Sequence, residues 1–219
     1  MNNYAKMSSL SWLLIFIVIS DKNKFHLIFI LKMIMIKQYN SQIEFINNEE
    51  EFLNSPNDET VIVVLNQTEA IYGADDSCNT KWCEDNNIPY AHQGKLQGGG
   101  CIIGVKGNIF IDIKRKCDGE CLSDKFSKVL AKYFKDKGLE SVRCDNNDVL
   151  IDGFKVASGC ETNHNGFKYM GYQISINQDI ETIKHACNKP MIKIPKGLGD
   201  YGITTDEMKQ LCEKYWTKN

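Results

Sequence analysis

Proline is scarce, with four in 219 residues, which excludes Pro-rich linkers and polyproline II arrays. Histidine is equally scarce, and none of the four forms a His-x3-His pair. Nine cysteines include no Cys-x-x-Cys, the tightest spacings being Cys78-x4-Cys83 and Cys117-x3-Cys121. A structural zinc site therefore lacks its usual ligand spacing. Excess charge of either sign is also missing, since 26 Lys+Arg face 28 Asp+Glu for a net −2. That balance argues against a nucleic-acid clamp and against a polybasic membrane-surface protein. No P-loop occurs, and no dinucleotide-binding strand–glycine–helix unit is read.

What is present is ordinary globular composition, 42% hydrophobic and 25% charged, in a chain long enough to bury a core without staples. An odd number of cysteines reads as reduced thiols in a cytosolic protein. Two apolar runs, Leu10 to Ile19 and Phe25 to Ile36, flank the polar break at 20–24. Neither reaches the roughly 20 residues a spanning helix needs. Residues 1–34 are expected to be an extension outside the fold, either upstream sequence ahead of a start at Met33 or Met35 or, second, a membrane anchor. The body is expected over residues 35–219.

That body reads as one α+β unit. Thr60 to Asn66 suits a buried strand. Ser77 to Asn86 reads as a short helix. Cys101 to Val105 and Asn108 to Lys114 read as strands around Lys106-Gly107, with Ile109, Ile111 and Ile113 alternating. Ser123 is expected to cap a helix carrying Phe126, Val129, Leu130, Tyr133 and Phe134, stopped at Gly138. Asp152-Gly153 is the strongest hairpin signal. Lys168 to Ile176 reads as a strand, and Thr204 with Glu207 as the capping box of a last helix. Strands outnumber helices, so a mixed sheet with flanking helices is expected.

Two segments carry chemistry. Gly98-Gly99-Gly100, entering the strand at Cys101, lets backbone amides approach a ligand closely, as phosphate binding requires, although a strained turn has the same signature. Asn147-Asp148-Val149-Leu150-Ile151-Asp152-Gly153-Phe154-Lys155 presents polar groups and a lysine at one sheet end.

In order and spacing the two segments resemble the lipoate–protein ligase branch of the biotin/lipoate ligase family, from about Glu49 onward. Asn87-Ile88-Pro89 and the Tyr172-to-Ile180 stretch add to the likeness. The resemblance implies a class II synthetase-like catalytic domain that joins lipoate or octanoate to AMP with ATP, then passes the acyl group to a lysine of a carrier domain of E2 or H-protein type. It implies Lys155 as the essential lysine, bonding the acyl carbonyl and the α-phosphate. It places Lys95, Gly98, Gly99, Gly100, Cys101, Ile102 and Ile103 at the adenylate. Asn147 and Asp148 fall near phosphate and Mg²⁺, with Asp148 as the metal ligand.

Departures from the family pattern accompany the match. Gly94-Lys95-Leu96-Gln97 stands where the family has Arg-Arg-x-Ser, so Lys95 keeps charge and loses the guanidinium fork. The glycine after Lys155 is displaced one place, to Gly159. No C-terminal accessory domain is read, which leaves room for a separate accessory subunit. Relatives that form a thioester on cysteine give an alternative, with Cys144 or Cys160 as nucleophile. A non-catalytic adenylate- or carrier-binding member is a third.

Overall fold

Val61, Ile62 and Val63 are all fully buried in β3 (Glu59–Val64), because both faces of that strand are covered. Ile62 packs into one core with Ile109, Ile111 and Ile113 of β7 (Ile109–Lys116). Val61 and Val63 pack into a second core with Phe110, on the other side of the sheet. The alternation read in β7 thus separates two layers, as a period of two requires. Its second face also carries Asp112 and Lys114, both buried.

The computed structural model describes residues 10–21, 24–92, 100–116, 119, 121–145 and 147–218. The large sheet has eight strands. It begins with β1 (Leu10–Asp21) and β2 (Lys24–Tyr39) beside β3 and β7. It continues through β11 (Phe167–Ile174), β10 (Phe154–His164), β9 (Asp148–Ile151) and β8 (Val142–Asp145). Among the described strands of this sheet only β2 and β3 run parallel, pairing Met35–Tyr39 with Glu59–Val63. The two N-terminal apolar runs pair with each other as an antiparallel hairpin. No described helix is long and apolar enough to cross a membrane.

Helices α4 (Leu122–Asp136) and α6 (Thr205–Lys218) cover one face through Phe126, Leu130, Phe134, Met208, Cys212 and Trp216. On the other face lie α1 (Gln42–Asn47) and α2 (Glu49–Asn54), anchored by Phe45 and Phe52. A second, three-stranded sheet has β4 (Glu69–Tyr72) between β5 (Tyr90–His92) and β6 (Cys101–Gly104). It packs with α3 (Thr80–Asp85) and α5 (Ile180–Ala186) around Ala70, Cys83, Ile103, Ile183 and Ala186.

The mixed α+β architecture agrees with the expectation from sequence, and so do the two strands about Lys106-Gly107, which join different partners: β6 joins β4, and β7 joins β3 and β11. The Gly107 N–H and the Asn108 carbonyl bond the two sides of Leu65, at 2.8 and 3.0 Å, tying this corner to the end of β3. Ser123 is not the cap of α4, which starts after Cys121; Ser123 is buried in the first turn, donating through N–H and Oγ to Glu161. The α6 box is half formed. Glu207 N–H donates to Thr204 Oγ1 at 3.3 Å, while the Glu207 carboxylate accepts from Tyr133 and pairs with Lys137. Residues 197–202 do spell G-x-G-x-x-G, but they form a 3₁₀ turn, Leu198–Tyr201, with no βαβ unit around it, so the dinucleotide fingerprint does not apply.

Candidate functional site

Asp152 and Gly153 both take positive φ, 53° and 83°, as a type I′ turn requires. The turn folds β10 back on β9 and sets Lys155 opposite Leu150. A bulge follows, because the next pair is Ala157 with Val149. Bulges re-aim side chains, and here Val156 enters the core while Lys155, Ala157 and Ser158 line a cavity. The Lys155 backbone is fixed on its far side as well: its N–H donates to Ile194 O and its carbonyl accepts from Lys196 N–H, both at 3.0 Å. Its ammonium is left without a hydrogen-bond or ion-pair partner among the described residues. A rigid strand end therefore holds one available positive charge.

Two connected cavities meet at that charge. The outer one, about 610 Å³, lies under the segment 187–195 and takes in Gly100, Asp148, Cys187 and Lys193. The inner one, about 200 Å³, runs between β7, β10 and β11 and is lined by Ile71, Phe110, Asp112, Cys160 and Gln42. Ile102, Lys155, Ser158 and Gln173 belong to both. A larger cavity that shares Ile102, Lys155, Ser158 and Gln173 with a smaller one, and has Lys155 at the boundary, suits a ligand with a charged head and a narrow tail.

The residues singled out from sequence divide. Gly100, Cys101, Ile102, Ile103, Asp148 and Lys155 come together around the outer cavity. Lys95, Gly98 and Gly99 lie outside the described residues. Asn147 lines neither cavity. It sits at φ 67°, and its carbonyl accepts from Ser127 Oγ at 3.1 Å and Tyr172 OH at 3.2 Å, so it shapes the corner before Asp148. Cys144 is exposed on β8 and lines neither cavity. Cys160 lines the inner cavity, and desolvation followed by the nearby Asp112 carboxylate pushes its thiol up.

Three features gave no sequence signal. Lys193 donates to Asp148 Oδ2 at 2.7 Å and lies 2.9 Å from Asp145 Oδ2. These contacts raise Lys193 and hold Asp145 below the usual carboxylate range. Cys187 lines the outer cavity, faces Cys78 across an isolated antiparallel bridge, donates through Sγ to the Cys101 carbonyl at 3.7 Å, and is lowered by the neighbouring Cys101 thiol. The partner effect raises Cys101. Finally, Gln42 and Asp112, far apart in sequence, are bonded at 2.9 Å in the inner cavity.

For a cation, the described residues offer no group of three or more His, Cys, Asp or Glu. Asp148 and Asp145 converge on one ammonium, and one or two carboxylates completed by phosphate oxygens is the usual Mg²⁺ arrangement. The donor set fits that mode once Lys193 withdraws.

The lipoyl protein ligase A/B catalytic domain model matches residues 46–216. Lipoate-protein ligase LplJ of Bacillus subtilis (strain 168) is 26% identical over 112 residues, which are 48% of this chain and 33% of that relative, so the match spans about a third of the relative's length. Among solved structures, a lipoate-protein ligase A bound with ATP superposes with TM-score 0.65 at 13% identity, covering 81% of this chain and 80% of that one. A bipartite lipoate protein ligase from Thermoplasma acidophilum, described together with its E2 lipoyl domain, gives TM-score 0.66 at 14% identity over 84% and 81% of the two chains. At such identities the structures speak for the fold, whereas the family model spans both cavity-lining motifs and most of the chain; the protein belongs to the lipoyl protein ligase A/B catalytic domain family.

Proposed function

We propose that this protein joins lipoate or octanoate to AMP, using ATP, and then transfers the acyl group to a lysine of a carrier domain. The observation that carries the reading is Lys155, unpaired at the junction of the two cavities. The acid lies with its chain in the inner cavity and its carboxylate at Lys155. A carboxylate oxygen attacks the α-phosphate, and pyrophosphate leaves into the outer cavity. The carrier's neutral lysine amine then attacks the acyl carbonyl; the C–N bond forms, AMP leaves with the bonding electrons, and the amine sheds a proton. In both steps negative charge grows on oxygens beside the Lys155 ammonium, which is placed in advance and needs no reorganisation. Asp148, with Asp145, would hold Mg²⁺, which supplies charge neutralisation at the phosphates. The partner is a lipoyl carrier domain of E2 or H-protein type, with an accessory subunit where the chain acts as part of a bipartite enzyme.

The test is mass-detected modification of an added carrier domain, run with lipoate plus ATP and, separately, with preformed lipoyl-AMP. Product in both supports the full reaction. Product from the adenylate alone confines the protein to transfer. Product from neither leaves a binding protein and removes the reading.

Cys187 favours a second reading. A thiol lowered by its neighbour and lining the same cavity as Lys155 has the properties of an acyl-accepting nucleophile. In this alternative the Cys187 thiolate, rather than that of Cys144 or Cys160, attacks the thioester carbonyl of an acylated carrier; the new C–S bond forms as the carrier's thiol leaves, and no ATP is used.

A further inference from the structure

Cys187 ends α5 and begins a strap, residues 187–195, that lies over the outer cavity. The far end of the strap is fixed to Lys155, whose N–H donates to Ile194 O at 3.0 Å. Its root is fixed to the stretch before α3. There Asn188 N–H donates to Ser77 O at 3.0 Å, Asn79 N–H donates to Ala186 O at 2.8 Å, and Lys189 pairs with Asp76 at 3.1 Å. Between these ends Ile192 is 96% exposed, so the crest of the strap is not packed down.

The two backbone bonds at the root bracket Cys78 and Cys187, which face each other as a non-hydrogen-bonded antiparallel pair. Such a pair holds its Cα atoms about 4.5 Å apart with both side chains on one side. That lies inside the roughly 4.4–6.8 Å a disulfide bridges, and both residues are free thiols here. They differ in access. Cys187 is half-buried and lines the outer cavity, whereas Cys78 is 4% exposed. Cys187 also has the lowered thiol, and burial raises Cys78. An accessible thiolate beside a shielded thiol suits a redox pair, the first residue taking the oxidant and the second resolving it. Cys101 also neighbours Cys187, but its ladder partner is Tyr72, so no backbone pairing sets it opposite Cys187.

We propose that Cys78 and Cys187 are a reversible oxidation site, joined by a hydroperoxide into a disulfide that locks the root of the strap and slows the enzyme. The Cys187 thiolate attacks the distal peroxide oxygen; the S–O bond forms, the O–O bond breaks, and the alkoxide or hydroxide leaves and takes up a proton. Cys78 then attacks the Cys187 sulfur of the sulfenic acid. The S–S bond forms, the S–O bond breaks, and hydroxide leaves as water with the proton from Cys78. Both thiols are oxidised, and the peroxide is reduced to an alcohol or water. A dithiol reverses the change by thiol–disulfide exchange. The effect on turnover rests on the ligase reading above. Lys193 sits on the strap against Asp148, and a strap locked at its root resists the shift that frees this carboxylate for Mg²⁺.

After brief treatment of the full chain with hydrogen peroxide and capping with iodoacetamide, peptide mass spectrometry should find Cys78 linked to Cys187. Amide hydrogen exchange at Asn79 and Asn188, whose N–H groups flank the pair, should slow. Pyrophosphate release with ATP and octanoate, an acid that dithiothreitol cannot reduce, should be largely lost and should return on adding dithiothreitol. Folded Cys78→Ala, altered at a residue that lines neither cavity, should match the parent before treatment and keep its activity afterwards. A Cys101–Cys187 link, no link at all, or unchanged exchange overturns the inference. So does pyrophosphate release that survives the Cys78–Cys187 link, or an equal, reversible loss in Cys78→Ala. No release before treatment overturns the ligase reading instead, and the linkage and exchange measurements then decide the pair by themselves.

Discussion

Lys193 and Asp148 are hydrogen-bonded at 2.7 Å, with Asp145 2.9 Å from the same ammonium. The carboxylate that the sequence assigns to Mg²⁺ is thus already countered by a charge from the segment over the outer cavity. A divalent ion held by Asp148 and Asp145, as proposed, would compete with Lys193 for the same oxygens.

Lys193→Met should accordingly lower the Mg²⁺ concentration needed for half-maximal acyl-adenylate formation, by about fivefold for a partly exposed pair. The effect should shrink as salt screens the lysine. A Mg²⁺ titration of pyrophosphate release at two ionic strengths measures it. An unchanged midpoint would separate Asp148 from the metal.

Lys155→Ala should reduce both half-reactions by about 10²–10³-fold, the usual loss when a transition-state donor is removed. Because the ammonium has no partner among the described residues, the melting temperature should hardly move. Activity measured with preformed lipoyl-AMP isolates the second step. Near-normal turnover in the folded variant would remove Lys155 from the chemistry.

Gly159 stands opposite Tyr172 in the β10–β11 register, and a Cβ there would lie 2.1 Å from the ring. The ring cannot swing away freely, since its hydroxyl is bonded to Ser127 Oγ at 2.7 Å and to Asn147 O at 3.2 Å. Gly159→Ala should cost about 1–3 kcal/mol by overpacking and narrow the inner cavity, which Gly159 and Tyr172 both line. Thermal unfolding together with acid-binding calorimetry checks both parts. The displaced glycine is thereby explained: at 159 it makes room for Tyr172.

Much of the fold was legible because local chemistry and tertiary environment agree. Asp152-Gly153 makes the turn its residues favour, and β7 alternates because its two faces meet different layers. The site was legible only where chemistry lies in contiguous residues, as from Asp148 to Lys155. Gln42 and Asp112 are 70 positions apart, and neither looks unusual until the fold buries both. Lys193 reads as one more surface lysine beside Ile192 and Ile194, which are exposed. Cys187, at the end of α5, gains its character from Cys101, brought to it by β6. The strands about Gly107 were legible, but the change of sheet between them was not, because it shows only in the ties to Leu65.

The neighbouring Cys101 thiol holds Cys187 below the ordinary value of 9.0, while burial pushes Cys78 up and Cys83 up to about 12. A lowered value means more thiolate at a given pH, and the thiolate is the reacting species. Iodoacetamide labelling followed by peptide mass spectrometry should therefore give Cys187 a half-maximal rate below pH 9, with Cys83 unreactive until near pH 12. Cys101→Ala removes that neighbouring thiol and should move the Cys187 profile toward alkaline pH. The same residue separates the two reactions. A ligase has no step for a protein thiol, so Cys187→Ser should retain ATP-dependent product and no acyl adduct should accumulate. A thioester transferase would give an octanoyl or lipoyl adduct from an acylated carrier without ATP. That adduct would disappear in Cys187→Ser, because a hydroxyl with no adjacent base is a far poorer nucleophile than a thiolate. An ATP-independent adduct lost in that one variant would replace the adenylate route with the cysteine route.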